Sequence, residues 1–115
     1  MSGSGATLAQ GGLQLGAPDG YSHGLILSGR TLSNAAAGLW QGTAGSLSQQ
    51  NGAVFTNLPG ATLVIQNSLT WYDDGTGVFN NQGTLVNDTG TASFSLSDYS
   101  SGSTVFNNTG SVQVN

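Results

Sequence analysis

The sequence predicts an all-β protein, a parallel β-solenoid of about four coils of 23–27 residues with uncapped ends. Three observations lead there. The first is a recurring phrase. Thr104-Val105-Phe106-Asn107-Asn108-Thr109-Gly110-Ser111-Val112-Gln113-Val114 reads as a strand end, a tight turn over 108–110 and another short strand. It recurs as Gly77-Val78-Phe79-Asn80-Asn81-Gln82-Gly83-Thr84-Leu85-Val86, and again over 53–65 with one extra residue in the turn. A weaker copy runs from Thr31 to Trp40 and the faintest from Thr7 to Leu15. The second observation is the spacing. Anchored on Leu8, Leu32, Phe55, Phe79 and Phe106, the copies lie 24, 23, 24 and 27 residues apart, the mark of stacked repeats. The third is the lack of helical periodicity, since Gly or Asn interrupts nearly every stretch long enough to sustain a helix.

Taken in order, residues 6–15 form a degenerate first coil at one end of the stack. Ala17-Pro18-Asp19-Gly20 is a turn by residue chemistry, because Pro presets φ, Asp bonds its own backbone and Gly accepts positive φ. A loop over 21–24 leads to the short buried strand Leu25-Ile26-Leu27, and Ser28-Gly29-Arg30 turns into the second copy. Residues 41–50 are polar and broken by Gly around Leu47, and Asn51-Gly52 is a strong turn pair. The third copy ends in the β-branched run Thr62 to Ile65; Leu69-Thr70-Trp71 then alternates in, out, in, and Tyr72-Asp73-Asp74-Gly75 makes a corner. After the fourth copy come a corner over 87–90, an alternating Phe94-Ser95-Leu96, and a loop over 97–103 that stretches the last period to 27.

The repeat decides between stacked coils and a sandwich. A sandwich has no reason to repeat one phrase at a fixed interval, whereas a solenoid climbs one strand spacing, about 4.8 Å, per coil. Equivalent residues then stand above one another. Asn34, Asn57, Asn81 and Asn108 are expected to form a ladder at one corner, each side-chain amide giving and taking hydrogen bonds with the next coil. Phe55, Phe79 and Phe106 are expected to stack in the interior, with Val112 and Val114 inward and Gln113 outward. Seven residues before each anchor, Leu25, Ser48, Tyr72 and Tyr99 suggest part of a second column.

Composition narrows the partners. Of 115 residues 19 are Gly and 5% are charged, with no Lys or Glu, against an average charged share of about a quarter. Bulky hydrophobes nonetheless recur on schedule, unlike in a disordered chain. A net charge of −4, with Arg30 as the one Lys or Arg, removes the electrostatic footing for nucleic acid or an anionic membrane surface. There is no Cys for a disulfide or thiolate metal site and no apolar run of the roughly 20 residues that cross a membrane. Residues 1–5 read as a flexible linker or cloning scar without the features of a signal peptide, and residues 6–115 as one solenoid domain.

The phrases Phe-Asn-Asn-x-Gly-Thr-Leu-Val (79–86) and Asn-Gly-Ala-Val-Phe-Thr-Asn (51–57) resemble the repeats of large secreted bacterial β-helix proteins, the filamentous-haemagglutinin-like adhesins and autotransporter-like passenger domains. The resemblance covers about residues 25–115. It implies a right-handed parallel β-helix, extracellular or on a bacterial cell surface. The matching residues are core and corner positions, so the resemblance speaks to fold more than to activity.

Residues able to carry chemistry are few, and each has a structural reading. His23 has Ser22 and Asp19 nearby, but neighbouring loop residues rarely converge on one point, so a solvated loop His is expected. Asp73-Asp74 is the one acid pair; it lacks the oxygen count for a hard cation and any Lys base for polysaccharide cleavage, and Asp-Asp-Gly is an ordinary corner. Neither a metal nor a cofactor is expected. Tyr72, Asp73, Asp74, Asp98 and Tyr99 could gather as an aromatic and acidic face suited to stacking on a sugar. Thr62, Thr84 and Ser111 make one outward hydroxyl column where an ice-binding face would need two. Asn87-Asp88-Thr89 and Asn107-Asn108-Thr109 match the glycosylation sequon but fall at corners.

The chain begins and ends within the repeat phrase, and solenoids need polar caps to stay soluble. It is therefore expected to be a slice of a longer solenoid, packed on flanking repeats, or a subunit that stacks head to tail on itself. The function expected is a non-enzymatic structural module of an extracellular bacterial scaffold, adhesin or filament. The alternative is a carbohydrate-binding module on the Tyr and Asp face, and a polysaccharide-acting enzyme is a distant third.

Overall fold

A computed structural model describes residues 1–17, 19, 24–42, 46–68, 70–90, 95–98 and 103–115. Short strands of three or four residues follow one another: β1 (Ala6–Ala9), β2 (Leu13–Leu15), β3 (Leu25–Ser28), β4 (Thr31–Asn34), β5 (Ala37–Trp40), β6 (Leu47–Gln50), β7 (Val54–Asn57), β8 (Thr62–Ile65), β9 (Thr70–Asp73), β10 (Val78–Asn81), β11 (Thr84–Asn87), β12 (Ser95–Asp98), β13 (Val105–Asn108) and β14 (Ser111–Val114). They form three sheets, ordered β1-β4-β7-β10-β13, β2-β5-β8-β11-β14 and β3-β6-β9-β12. Hydrogen-bonded neighbours always differ by three in strand number, and every pairing is parallel. Each coil therefore visits all three sheets before the next lies on top of it. This is a β-solenoid of four coils, with β13 and β14 starting another. Five stacked strands rise about 19 Å between the first and last backbone, which fits the shortest extent of the molecule, 23 Å.

The register bears out the repeat from Leu32 onward. Leu32, Phe55, Phe79 and Phe106 are in line, as are Asn34, Asn57, Asn81 and Asn108. The first copy is one residue out. Thr7, not Leu8, pairs with Leu32, and Ala9 takes the ladder position below Asn34. Leu8 points outward and is 51% exposed, because a shift of one residue moves a strand's whole side-chain set to its other face. The second column also shifts. Ser48 and Tyr72 pair as expected, but Ile26 and Ser97 flank them, Leu25 pairs with Leu47, and Tyr99 lies outside the described residues. What lines up inside the third sheet is the bulky set Leu25, Leu47, Trp71 and Leu96. Tyr72 and Asp73 are strand residues rather than the start of a corner, and β6 and β12 extend into stretches whose polar character reads as loop.

The core is an aromatic stack. Phe55 and Phe79 rings lie 4.9 Å apart and Phe79 and Phe106 5.4 Å apart. Trp71 meets Phe79 at 4.7 Å, Phe55 at 4.9 Å and Trp40 at 5.5 Å, all edge to face. Each such side chain removed from water contributes about 1.5–3 kcal/mol. Strands this short have little stability of their own, so coil-on-coil burial of these rings holds the fold.

Candidate functional site

The corner between the first two sheets is closed by the asparagine ladder. Asn34 Nδ2 donates to Asn57 Oδ1 at 2.9 Å, Asn57 Nδ2 to Asn81 Oδ1 at 2.9 Å, and Asn81 Nδ2 to Asn108 Oδ1 at 2.8 Å. The same nitrogens donate to main-chain carbonyls one coil up, Thr62 at 3.2 Å, Thr84 at 3.0 Å and Ser111 at 2.9 Å. Asn34, Asn57 and Asn81 are fully buried. Asn suits the site because its carbonyl accepts from below while its amide group donates above. Backbone spacing makes room for it: a Cβ on Gly38 would stand 2.9 Å from Asn34 Nδ2, and one on Gly83 only 2.2 Å from the Ala61 carbonyl oxygen.

The corner between the third sheet and the first is a second column, mostly polar and without one residue type common to all its coils. Leu27, Gln49, Asp73 and Asp98 are in register. Gln49 is 1% exposed. Its Nε2 donates to the carbonyls of Ala53 and Val78, both at 2.7 Å, and its Oε1 accepts from Trp71 Nε1 at 2.9 Å. Sequence reasoning passes over Gln49, which sits in a polar, Gly-broken stretch; its place two residues after the inward Leu47 is the signal that finds it.

Asp73 is corrected from surface ligand to corner brace. It is 2% exposed, faces inward after Trp71, and its Oδ1 accepts from the backbone N–H groups of Gly75 at 3.1 Å and Gly77 at 2.9 Å. Asp74 is on the outside of the same corner. It accepts from Thr76 Oγ1, from Asn51 N–H at 2.8 Å and from Thr76 N–H at 3.0 Å. Those hydrogen bonds, the Thr76 hydroxyl first, hold its carboxyl below the usual carboxylate range. Asn51 Nδ2 donates in turn to Ser28 Oγ at 2.8 Å, and Gly52 N–H to Thr76 Oγ1 at 2.8 Å, so this outer corner is laced coil to coil. Asn51 and Gly52 both adopt positive φ, 55° and 69°, as their turn chemistry predicts.

The expected sugar face is thus divided. Tyr72 projects outward between Ser48 and Ser97, Asp73 points into the core, Asp74 is engaged at the corner, and Asp98 follows the inward column. Tyr99 and His23 lie outside the described residues. The outward column Thr62, Thr84 and Ser111 does form, with Ser111 Oγ donating to Thr84 Oγ1 at 3.2 Å. Beside it stand Val64, Val86 and Gln113 rather than a second row of hydroxyls.

The two ends differ. At the C-terminal end Phe106 is 38% exposed, Val112 49% and Val114 76%, whereas Phe79 and Leu85, one coil below the first two, are buried. At the N-terminal end Met1 and Ser2 run along β3, with Ser28 N–H donating to the Met1 carbonyl at 3.0 Å and the Met1 amino group to the Ile26 carbonyl at 2.6 Å. Arg30 reaches down to the Ser2 carbonyl at 3.2 Å and Thr7 Oγ1 at 3.0 Å. An apolar cavity of about 310 Å³ lies at this end, lined in part by Met1, Leu13, Leu15, Leu25, Leu32 and Phe55.

Comparison with protein-family models, with curated proteins and with solved structures returns no match.

Proposed function

We propose that this chain is a non-enzymatic structural module, a solenoid segment of an extracellular bacterial scaffold or adhesin that carries a stiff stack and displays its corners. The observation that supports it most is where the polar side chains are used. Asn34, Asn57, Asn81, Gln49 and Asp73 are buried and bonded to the chain itself. Even the outer carboxylate of Asp74 is bound to Thr76 and Asn51. Coils that share one register through two of the three sheets from β4 onward suit propagation along one axis. The extracellular setting follows from the resemblance of the repeat phrase alone.

Duplicating residues 53–76 in place tests this reading. A structural module takes up the extra coil, stays rich in β structure, lengthens by about 4.8 Å along its axis and melts no lower than the parent. Failure of the extended chain to fold would count against interchangeable coils. A glycan array probes the carbohydrate alternative: saturable binding abolished by Tyr72→Ala would replace the structural reading.

A further inference from the structure

Asn51 and Gly52 are the one Asn-Gly pair in the sequence. Such a pair can react with itself, because a glycine nitrogen is unhindered enough to attack the asparagine side chain before it. Both residues are exposed, and nothing stands within 4 Å of where a Cβ on Gly52 would lie, so water reaches the reacting atoms. The Gly52 nitrogen loses its proton to solvent base, a bond forms from that nitrogen to Asn51 Cγ, and the Cγ–Nδ2 bond breaks. Nδ2 leaves as ammonia, taking up a proton from water, and a five-membered succinimide ring remains. Water then opens the ring at either carbonyl, giving aspartate or isoaspartate at position 51. Nothing is oxidised or reduced.

The folded corner holds the pair away from this reaction. Residues 50–53 are closed by Ala53 N–H donating to the Gln50 carbonyl at 3.1 Å, with Asn51 and Gly52 at φ 55° and 69°. This is the type I′ pattern, which fixes the orientation of the peptide between the two central residues. Ring closure needs that rigid peptide plane to rotate until the Gly52 nitrogen faces Cγ. Bonds to two other coils resist the movement. Gly52 N–H donates to Thr76 Oγ1 at 2.8 Å and Asn51 N–H to Asp74 Oδ2 at 2.8 Å, both one coil up. Asn51 Nδ2 donates to Ser28 Oγ at 2.8 Å, one coil down. Thr76 is itself held by Asp74 through its hydroxyl and its N–H. The attacking nitrogen and the leaving nitrogen are thus both engaged, and by different coils.

We propose that Asn51-Gly52 is a self-modification site gated by the coils on either side of it, closed while they are stacked and reactive when either one opens. Local opening of a corner needs less than global unfolding, so the product accumulates as a chemical record of coil opening. The record is irreversible. Isoaspartate carries an extra backbone carbon and cannot rebuild the turn between β6 and β7, and aspartate adds a negative charge to the corner that already holds Asp74. The gate holds whether or not the chain is a structural module.

Incubation of the full chain and of a free peptide of residues 47–57 at neutral pH, followed by mass mapping, tests it. The peptide is expected to gain the mass of amide-to-acid exchange at Asn51. The folded chain should do so about tenfold or more slowly, as for an opening that breaks two or more hydrogen bonds. Thr76→Val and Ser28→Ala should each speed the folded chain by roughly two- to tenfold, the worth of one hydrogen bond, and Thr76→Ser should restore the parent rate. Circular dichroism establishes the fold of each variant, and one that fails to fold should react at the peptide's rate. Equal rates in folded chain and peptide, or folded variants that keep the parent's rate, overturn the gate. A peptide that gains no mass overturns the site itself.

Discussion

Asn57 and Asn81 are joined side chain to side chain at 2.9 Å although 24 residues separate them in sequence. Both are fully buried, so a carbonyl that loses its rung has no water to turn to. Asn57→Ala leaves Asn81 Oδ1 without its donor, whereas Asn34 Nδ2 keeps the Thr62 carbonyl; the change is expected to cost about 1–3 kcal/mol for the one acceptor left unpaired. Asn108→Ala, at the exposed end of the ladder, should change stability by only about 0.5 kcal/mol. Urea unfolding of the two variants makes the comparison.

Gly83 stands where coils meet backbone to backbone. A Cβ there would fall 2.2 Å from the Ala61 carbonyl oxygen and 2.5 Å from that of Leu58. Gly83→Ala is therefore expected to destabilise by about 1–3 kcal/mol through overpacking. Gly11→Ala meets nothing within 4 Å and should be neutral or stabilising by about 0.4–1 kcal/mol. Thermal melts of the pair separate steric cost from the general effect of adding a methyl group.

Trp71 anchors the second polar corner through its indole N–H to Gln49. Trp71→Phe keeps an aromatic ring but leaves Gln49 Oε1 without that donor, at a cost of about 1–3 kcal/mol on top of any packing loss. A double-mutant cycle with Gln49→Leu should return a coupling of the same order. Additivity of the two changes would show that the hydrogen bond contributes nothing.

Asp74 gives the fold an acid-sensitive corner. Its carboxyl titrates lower in the folded chain than in the unfolded one, since Thr76 and Asn51 bond the ionised form. The unfolded chain thus binds the proton first as pH falls, and the stabilisation is complete above the ordinary aspartate value, about pH 3.9. It declines as pH drops from there through the folded value. Asp74→Asn should flatten that part of the stability profile and leave the rest unaltered. Denaturation midpoints measured from pH 5 down to pH 2 check it.

What the sequence revealed depended on whether a column repeats one residue type. Phe55, Phe79 and Phe106 recur as Phe, and Asn34, Asn57, Asn81 and Asn108 as Asn, so both columns were legible as spacing alone. The opposite corner uses Leu27, Gln49, Asp73 and Asp98 for one position. Only Asp recurs there, at Asp73 and Asp98, and polar residues at a corner read as surface. That is why Asp73 was expected outside when its alternation with Trp71 puts it within. The first coil differs for another reason: Leu8 resembles the anchor by size, yet Thr7 takes the anchor position opposite Leu32, where its hydroxyl accepts from Arg30.

Parallel pairing in every sheet means that backbone hydrogen bonds run along the axis on which the coils pile up. Tension applied through Met1 and Asn115 pulls at opposite ends of that pile and meets one turn at a time. Each released turn of 24 residues, the Asn57 to Asn81 interval, adds about 80 Å of slack chain. Force spectroscopy would then record a short staircase of near-equal extensions, the signature of a molecular ratchet rope rather than of a brittle bead.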